Sequence, residues 1–276
     1  AKAATGYRLK KGFIPLAHSA ILEHLDQVAA AKVRSSEIHI SLDSTNAQIE
    51  SIALSSGQAG FVATEVQQFG KGRRSNQWFS APFHNIMLSL AWQFPVWPTD
   101  ITAISLATGV VVAEALESEG ITGLQLKWPN DLYVNKVKFG GILINIQGES
   151  GAEARINCGI GLNIKLSDND KAKIDQPCTD LYSEGYLKLD RNVVIAKLAN
   201  AWVDLCEQFL QFGFAPYTQR WHQLHLFQDQ EVIARKGDKA LTGRVLGADA
   251  QGCLLIADST NAQTRLVDPD YSLKAI

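Results

Sequence analysis

Gln67-Gln68-Phe69-Gly70-Lys71-Gly72-Arg73-Arg74-Ser75-Asn76-Gln77-Trp78 is the stretch on which the reading of this chain turns. It follows a strand-like run, Gly60 to Glu65, and passes through Phe79-Ser80-Ala81-Pro82 into a second, Asn85 to Trp92, so its glycine-rich part is expected to be a loop between strands. Lys71, Arg73 and Arg74 fall within four residues, and Gly70 and Gly72 let the backbone approach whatever those cations hold. The loop therefore reads as an anion-binding segment, with a solvated basic loop as the plain alternative. No Gly-Lys-Ser/Thr opens a helix here, which excludes a P-loop, and Ser75 stands where a dinucleotide fingerprint would need its third glycine.

Upstream, Ile21, Leu22, Leu25 and Val28 recur at helical spacing over Ala17 to Ala31, and Ser36 to Leu42 alternates as a strand with Ile38, Ile40 and Leu42 on one face. Asp43-Ser44-Thr45-Asn46 then stops the strand ahead of a helix through Ala47 to Leu54. Capping alone would explain these four residues. The functional alternative is that the same hydroxyls and amide hydrogen-bond a small polar ligand.

Downstream, Ile101 to Glu119 reads as a helix ended by Gly120, and Leu124 to Lys127 as a short strand running into Trp128-Pro129-Asn130-Asp131. Proline cannot continue a central ladder, so Trp128 to Asn130 is expected to be a bend that projects Asn130 and Asp131, either as a plain turn or as the lining of a cleft. Lys136 to Gly141 opens an apolar strand, Ile142 to Ile146, expected to pair with Ile156 to Ile164. Lys138 stands just before the pair Gly140-Gly141, where absent side chains leave room for a ligand beside the ammonium; a hairpin rim would use the same residues. Lys165 to Lys188 reads as a polar connection with a short helix near Leu181 and Tyr182, and no function is expected there. Asp190 to Phe212, capped by Asp190, and Pro216 to Leu226 read as helices. His222 and His225 on the latter lack a third ligand in a known metal pattern, which favours a structural role. From Gln230 the texture changes to closely spaced strands, Glu231 to Arg235, Ala240 to Leu246, Cys253 to Ala257 and Thr264 to Val267, which predict a small β-barrel.

The 276 residues, 46% of them hydrophobic, suffice for one large domain and a small one. A net charge of -2 argues against a broadly basic nucleic-acid-binding surface. Cys158, Cys178, Cys206 and Cys253 are widely spaced, which fits reduced thiols and a cytoplasmic location, and no apolar run approaches the ~20 residues of a membrane span.

Asp43-Ser44-Thr45-Asn46, the Gly70 to Trp78 loop, Lys127-Trp128-Pro129-Asn130-Asp131, Lys138-Phe139-Gly140-Gly141-Ile142-Leu143 and Gly159-Ile160-Gly161-Leu162-Asn163, in this order, resemble the motifs of the biotin protein ligases of the bacterial BirA type. The resemblance runs from Tyr7 to the C-terminus. It implies an α+β fold: a class II aminoacyl-tRNA synthetase-like mixed sheet flanked by helices (residues 16–228), followed by a small SH3-like β-barrel (229–276). It implies a ligase that uses ATP and Mg²⁺ to activate biotin and passes it to a lysine of the biotin carboxyl carrier protein of acetyl-CoA carboxylase. Ser44, Thr45, Asn46 and Gln67 would hold the biotin ureido ring, and Lys71, Gly72 and Arg73 would close over biotin and the α-phosphate. Lys138 would reach the carboxylate and phosphate oxygens. Arg74, Trp78, Asn130 and Asn163 would hold the nucleotide, with Asp131 beside the attacking amine, so that Lys138, Arg73 and Asp131 form the catalytic set; no protein-bound metal is expected.

The family loop usually reads Gly-Arg-Gly-Arg-x-Gly-Arg, whereas Lys71, Ser75 and Asn76 stand here at its second, sixth and seventh places. Lysine lacks the bidentate fork of arginine. Gly6-Tyr7-Arg8-Leu9 resembles the last strand of a winged helix-turn-helix, so residues 1–15 are expected to follow a missing domain that would bind a biotin operator as a dimer. A homodimer through the sheet edge near Gly141 to Asn163 is a further expectation. The competing readings are a lipoate-protein ligase and a biotin- and adenylate-sensing regulator without turnover.

Overall fold

The computed structural model describes residues 14–276; residues 1–13, and with them Gly6 to Leu9, lie outside the described part. In chain order the elements are α1 (His18–Leu22), α2 (Gln27–Lys32), β1 (Val33–His39), α3 (Thr45–Glu50), β2 (Ala59–Thr64), β3 (Ile86–Phe94), α4 (Ile104–Glu117), β4 (Leu124–Lys127), β5 (Asp131–Val134), β6 (Val137–Gly148) and β7 (Ala154–Leu162). They continue as α5 (Asp168–Lys171), α6 (Arg191–Phe212), α7 (Ala215–Leu224), β8 (Glu231–Lys236), β9 (Lys239–Ala248), β10 (Leu254–Ala257), β11 (Gln263–Leu266) and β12 (Ser272–Ala275).

Seven strands form one sheet in the order β1-β2-β3-β7-β6-β5-β4, in which β1 and β2 are parallel and every other pair is antiparallel. The sheet is therefore mixed, with helices on its faces, and the expected α+β class holds. Period-2 alternation decides what each face does. On β3, Ile86, Leu88, Leu90, Trp92 and Phe94 point into the main core with residues of α4, α6 and α7. The intervening Ala91 joins Val62 under Ile49 and Ile52, so α3 covers the opposite face. β8 to β12 make a second, wholly antiparallel sheet in the order β11-β10-β9-β8-β12.

Several expectations need correction. The helix over residues 17–31 is two short helices, because Asp26 takes extended backbone and its side chain caps the second by accepting from the Ala29 N–H. β1 begins at Val33 and ends at His39, which leaves Ile40 on the surface at 75% exposure. Helix α3 starts at Thr45, and the Ser44 side chain makes no cap hydrogen bond. In the 165–188 connection the helix is α5, held by a Ser167–Asp170 capping box, whereas residues 181–185 form a turn. The C-terminal sheet has a fifth strand, β12, whose single buried residue, Leu273, gave little alternation to read.

His222 and His225 serve packing. His225 stacks on Trp221 with ring centroids 4.4 Å apart, and burial pushes its imidazole down to about 3. The His222 Nε2 accepts from the Ala248 N–H at 3.0 Å, which ties α7 to the C-terminal sheet.

Candidate active site

One cleft of about 330 Å³ gathers all but one of the residues singled out from the sequence: Ser44, Thr45, Asn46, Gln67, Lys71, Gly72, Arg73, Arg74, Trp78, Asn130, Asp131 and Lys138 line it. Its floor is the α3-facing side of β3, β7, β6 and β5. The Gln67–Trp78 loop rises over one side, and Pro269, Tyr271, Ser272 and Leu273, at the start of β12 and just before it, close another.

Glycines make the floor. Gly159 lies opposite Ser89 in the ladder and Gly161 opposite both Met87 and Gly141. A Cβ on Gly159 would sit 2.7 Å from Asn46 Oδ1, and one on Gly161 would sit 2.5 Å from the Trp78 ring. The two glycines of Gly159-Ile160-Gly161 are thus the space into which Asn46 and the Trp78 indole settle. Gly161→Ala is expected to push Trp78 from its seat, a disturbance of about 1–3 kcal/mol. An altered tryptophan emission spectrum would be the reading; an unchanged spectrum would show that the indole keeps its seat.

One end of the cleft is neutral and rich in hydrogen-bonding groups. Gln67 Oε1 accepts from the Thr45 N–H at 2.8 Å and the Thr45 hydroxyl at 3.0 Å. The Ser89 hydroxyl lies 2.8 Å from Thr45 Oγ1 and 2.6 Å from Asn46 Oδ1. Ser44 Oγ is buried and has no hydrogen-bond partner. A buried hydroxyl without a partner carries a desolvation penalty of about 1–3 kcal/mol that a ligand can remove.

The other end is cationic. Lys138 Nζ is 2.7 Å from Asp131 Oδ1, both partly buried. β5 and β6 shift register between Leu132 and Tyr133, and this bulge lets Phe139 and Ile142 both face the core, while Lys138 and Gly141 both line the cleft. Asn130 pins its turn: its Nδ2 donates to the Ile142 carbonyl at 2.6 Å, and its own carbonyl accepts from the Ile142 N–H at 2.9 Å. Arg73 Nη1 stands 3.5 Å from Asn130 Oδ1, and its Nη2 donates at 3.2 Å to Asp270 Oδ1, which also accepts from Arg74 Nε at 2.9 Å. Burial lowers the Arg73 pKa and Asp270 opposes that shift. Within the loop, the Gly72 N–H donates to the Asn76 carbonyl at 2.8 Å, and Arg74 takes a left-handed backbone, φ 56°.

Asn163 does not line the cleft. Its Oδ1 accepts from Asn85 Nδ2 at 3.1 Å and its Nδ2 donates to the Thr179 carbonyl at 3.2 Å, so the amide ties the end of β7 to the approach to β3 and to the 165–188 connection. The direct nucleotide contact expected of it gives way to a structural tie.

Four contributors were not anticipated. Lys127 lines the cleft with its ammonium 5.7 Å from the Tyr133 ring centroid and 5.6 Å from that of Phe227; burial lowers its pKa, and nearby Asp131 partly offsets this. It lies inside Lys127-Trp128-Pro129-Asn130-Asp131, where strand alternation alone could have flagged it. Gln176, Asp270 and Tyr271 come from segments with no motif; Gln176 and Tyr271 line the cleft, and Asp270 holds the loop through the two arginines.

The sequence profile of the Biotin/lipoate A/B protein ligase family matches residues 39–163. The bifunctional ligase/repressor BirA of Salmonella typhimurium is 38% identical over 217 residues, covering 78% of this chain and 67% of the relative. The biotin--[acetyl-CoA-carboxylase] ligase of Paracoccus denitrificans is 26% identical over 80% of this chain and 93% of its own length. Among solved structures, a biotin protein ligase from Aquifex aeolicus in complex with biotin and ATP superposes with a TM-score of 0.71 at 22% identity, over 88% of this chain and all of that one, a likeness of fold.

Proposed function

The chain belongs to the Biotin/lipoate A/B protein ligase family, and on that premise we propose that it is a biotin protein ligase working through biotinyl-5′-AMP. The observation that carries this reading is the polarity of the cleft. A neutral end with an unpartnered buried hydroxyl, Ser44, faces a cationic end built on Lys138 and Arg73. A ligand with a neutral, hydrogen-bonding ring system at one end and a carboxylate at the other matches that polarity. Biotin has this form through its ureido ring; the dithiolane of lipoate offers little for Ser44, Thr45, Asn46 and Gln67 to bind.

In the first half-reaction a biotin carboxylate oxygen bonds to the α-phosphorus of ATP and pyrophosphate leaves with the electrons of the broken P–O bond. Two anions must meet, and Lys138 with Arg73 supplies fixed positive charge where they do. Trp78 over the glycine floor supports the adenine, with Arg74 and Asn130 near the phosphates. In the second half-reaction the uncharged amine of the acceptor lysine attacks the biotinyl carbonyl and AMP leaves. Asp131 stands beside that path to orient the amine, and the Lys71–Arg73 segment shields the anhydride from water. Among the described residues no three His, Cys, Asp or Glu side chains converge as a metal site, and Asp131 is the only carboxylate lining the cleft. This donor set fits Mg²⁺ that arrives on the ATP phosphates, where it would neutralise their charge.

The acceptor is proposed to be the biotin carboxyl carrier protein of acetyl-CoA carboxylase, and the setting cytoplasmic; no helix of the described residues is long and apolar enough to cross a membrane. Residues 16–228 are taken as the catalytic unit and 229–276 as an SH3-like unit. Beyond Ile142, β6 pairs with β7 alone, and this open edge supports a homodimer. A repressor role, suggested by the likeness to the bifunctional ligase/repressor BirA, is part of the same proposal and would be read as biotin-operator binding.

The deciding experiment is ATP–pyrophosphate exchange with biotin, with lipoate as control. Exchange with biotin alone is expected, weakened in Arg73→Ala. Exchange with lipoate instead would reassign the acid, and tight biotin binding without exchange would mean a sensor that has lost the reaction.

A further inference from the structure

On the α3-facing side of β7 the residues run Arg155, Asn157, Gly159, Gly161. The last two leave space for Asn46 and Trp78. The first two are polar and point at the far end of α3. Arg155 Nη1 donates to the Ile52 carbonyl and Nη2 to the Ile49 carbonyl, each at 2.7 Å, and Nε donates to Asn157 Oδ1 at 3.0 Å. Asn157 is fully buried and fixes the direction of the guanidinium. One arginine thus binds two carbonyls at the last turn of α3 and just beyond it, where a cation is favoured.

Helix α3 needs such a clamp. It has six residues, too few to be stable by itself, and Ser44 gives it no side-chain cap. Its apolar anchor against the sheet is small: Ile49 and Ile52 on Val62 and Ala91. Less than two turns separate the clamped Ile49 carbonyl from Ser44, Thr45 and Asn46, so a tilt at one end moves the other. We propose that Arg155 is a positioning residue for the acid substrate: by clamping the C-terminal end of α3 from β7, it holds Ser44, Thr45 and Asn46 in the geometry that binds the neutral ring. This rests on the biotin reading given above. Arg155 itself does not line the cleft, and its guanidinium bonds α3 and Asn157 of β7 rather than β5, β6 or the Gln67–Trp78 loop.

The test compares steady-state biotinylation by the whole chain with Arg155→Met and Arg155→Lys. In Arg155→Met the KM for biotin is expected to rise about 10-fold, the effect of losing charge-assisted hydrogen bonds, while the KM for ATP and kcat at saturating biotin stay within about twofold. Arg155→Lys, which keeps the charge and one contact, is expected to recover part of the loss and serves alone if the methionine variant does not fold. An unchanged KM for biotin in both variants overturns the proposal. So does a parallel rise in the KM for biotin and ATP with a lower melting temperature, because that is what a merely structural arginine would give. A wild-type chain that neither binds nor uses biotin overturns the functional reading itself and this inference with it.

Discussion

On the proposed biotin-ligase reading, Lys138→Met is expected to slow adenylate formation by about 100- to 1000-fold, the range lost when one preorganised charge is removed from a transition state. The expected size follows from what remains. Lys138 Nζ stands 2.7 Å from Asp131, so methionine removes a cation and also leaves a carboxylate facing the place where a carboxylate and a phosphate must meet. Repulsion is added to lost attraction. The fold should survive, because the Lys138 stem lies in a cleft, with 15% of its side chain exposed, and methionine fills a similar volume. Biotin-dependent pyrophosphate exchange measures the effect. Adding Asp131→Asn to Lys138→Met should recover part of the rate, because the uncompensated negative charge goes with it. A single variant within about threefold of wild type would remove Lys138 from the chemistry, since a group acting on the transition state is worth far more.

Arg191→Met is expected to destabilise the chain by about 3–5 kcal/mol, the usual consequence of stranding one partner of a buried ion pair. Arg191 Nη1 and Nη2 reach Glu65 Oε2 and Oε1 at 2.6 and 3.0 Å, with side chains only 7% and 5% exposed. The same guanidinium donates to the carbonyls of Asn85 and Ile14, while Glu65 accepts from the Leu16 N–H at 2.7 Å. The pair therefore joins the start of α6, the exit of β2, the approach to β3 and the Ile14 to Leu16 backbone. Thermal melting should fall by roughly 10 °C. Glu65→Gln combined with Arg191→Met should be more stable than Arg191→Met alone, because no buried charge is left unpaired. A single variant as stable as wild type would show that water reaches Glu65. Since Glu65 lies two residues before Gln67, weaker biotin binding should accompany the loss.

The cleft was legible where chemistry is local and the strand reading was sound. Gly70, Gly72 and the cations around them announce a loop that approaches an anion, and a proline in Trp128-Pro129-Asn130-Asp131 forces a bend wherever the strands go. Other features depend on groups far apart in the chain. The helix expected over residues 17–31 breaks because Asp26 can cap a new turn, and Ile40 is exposed because β1 ends before it. Asn163 carries the same amide in the sequence whether it meets a nucleotide or Asn85 and Thr179; only the fold shows that it bonds to those two residues and stands outside the cleft lining. Gln176, Asp270 and Tyr271 reach the cleft from segments with no pattern of their own.

The family resemblance implied the mixed sheet and a ligand with a neutral ring; the residues by themselves determined most of the strands, the two long helices, the change to short strands after Gln230 and the cationic glycine-rich loop. These follow from periodicity, from glycine and proline, and from charges close together in the chain, all of which act over a few residues. Tertiary structure alone decided that Ser44 is buried without a partner, and that a bulge turns Lys138 onto Asp131. It also decided that Asp270 holds Arg73 and Arg74 from 196 and more residues away, and that Arg155 clamps the helix bearing Ser44 to Asn46. Burial and hydrogen-bond satisfaction depend on what arrives from the other side, and no local pattern encodes that arrival.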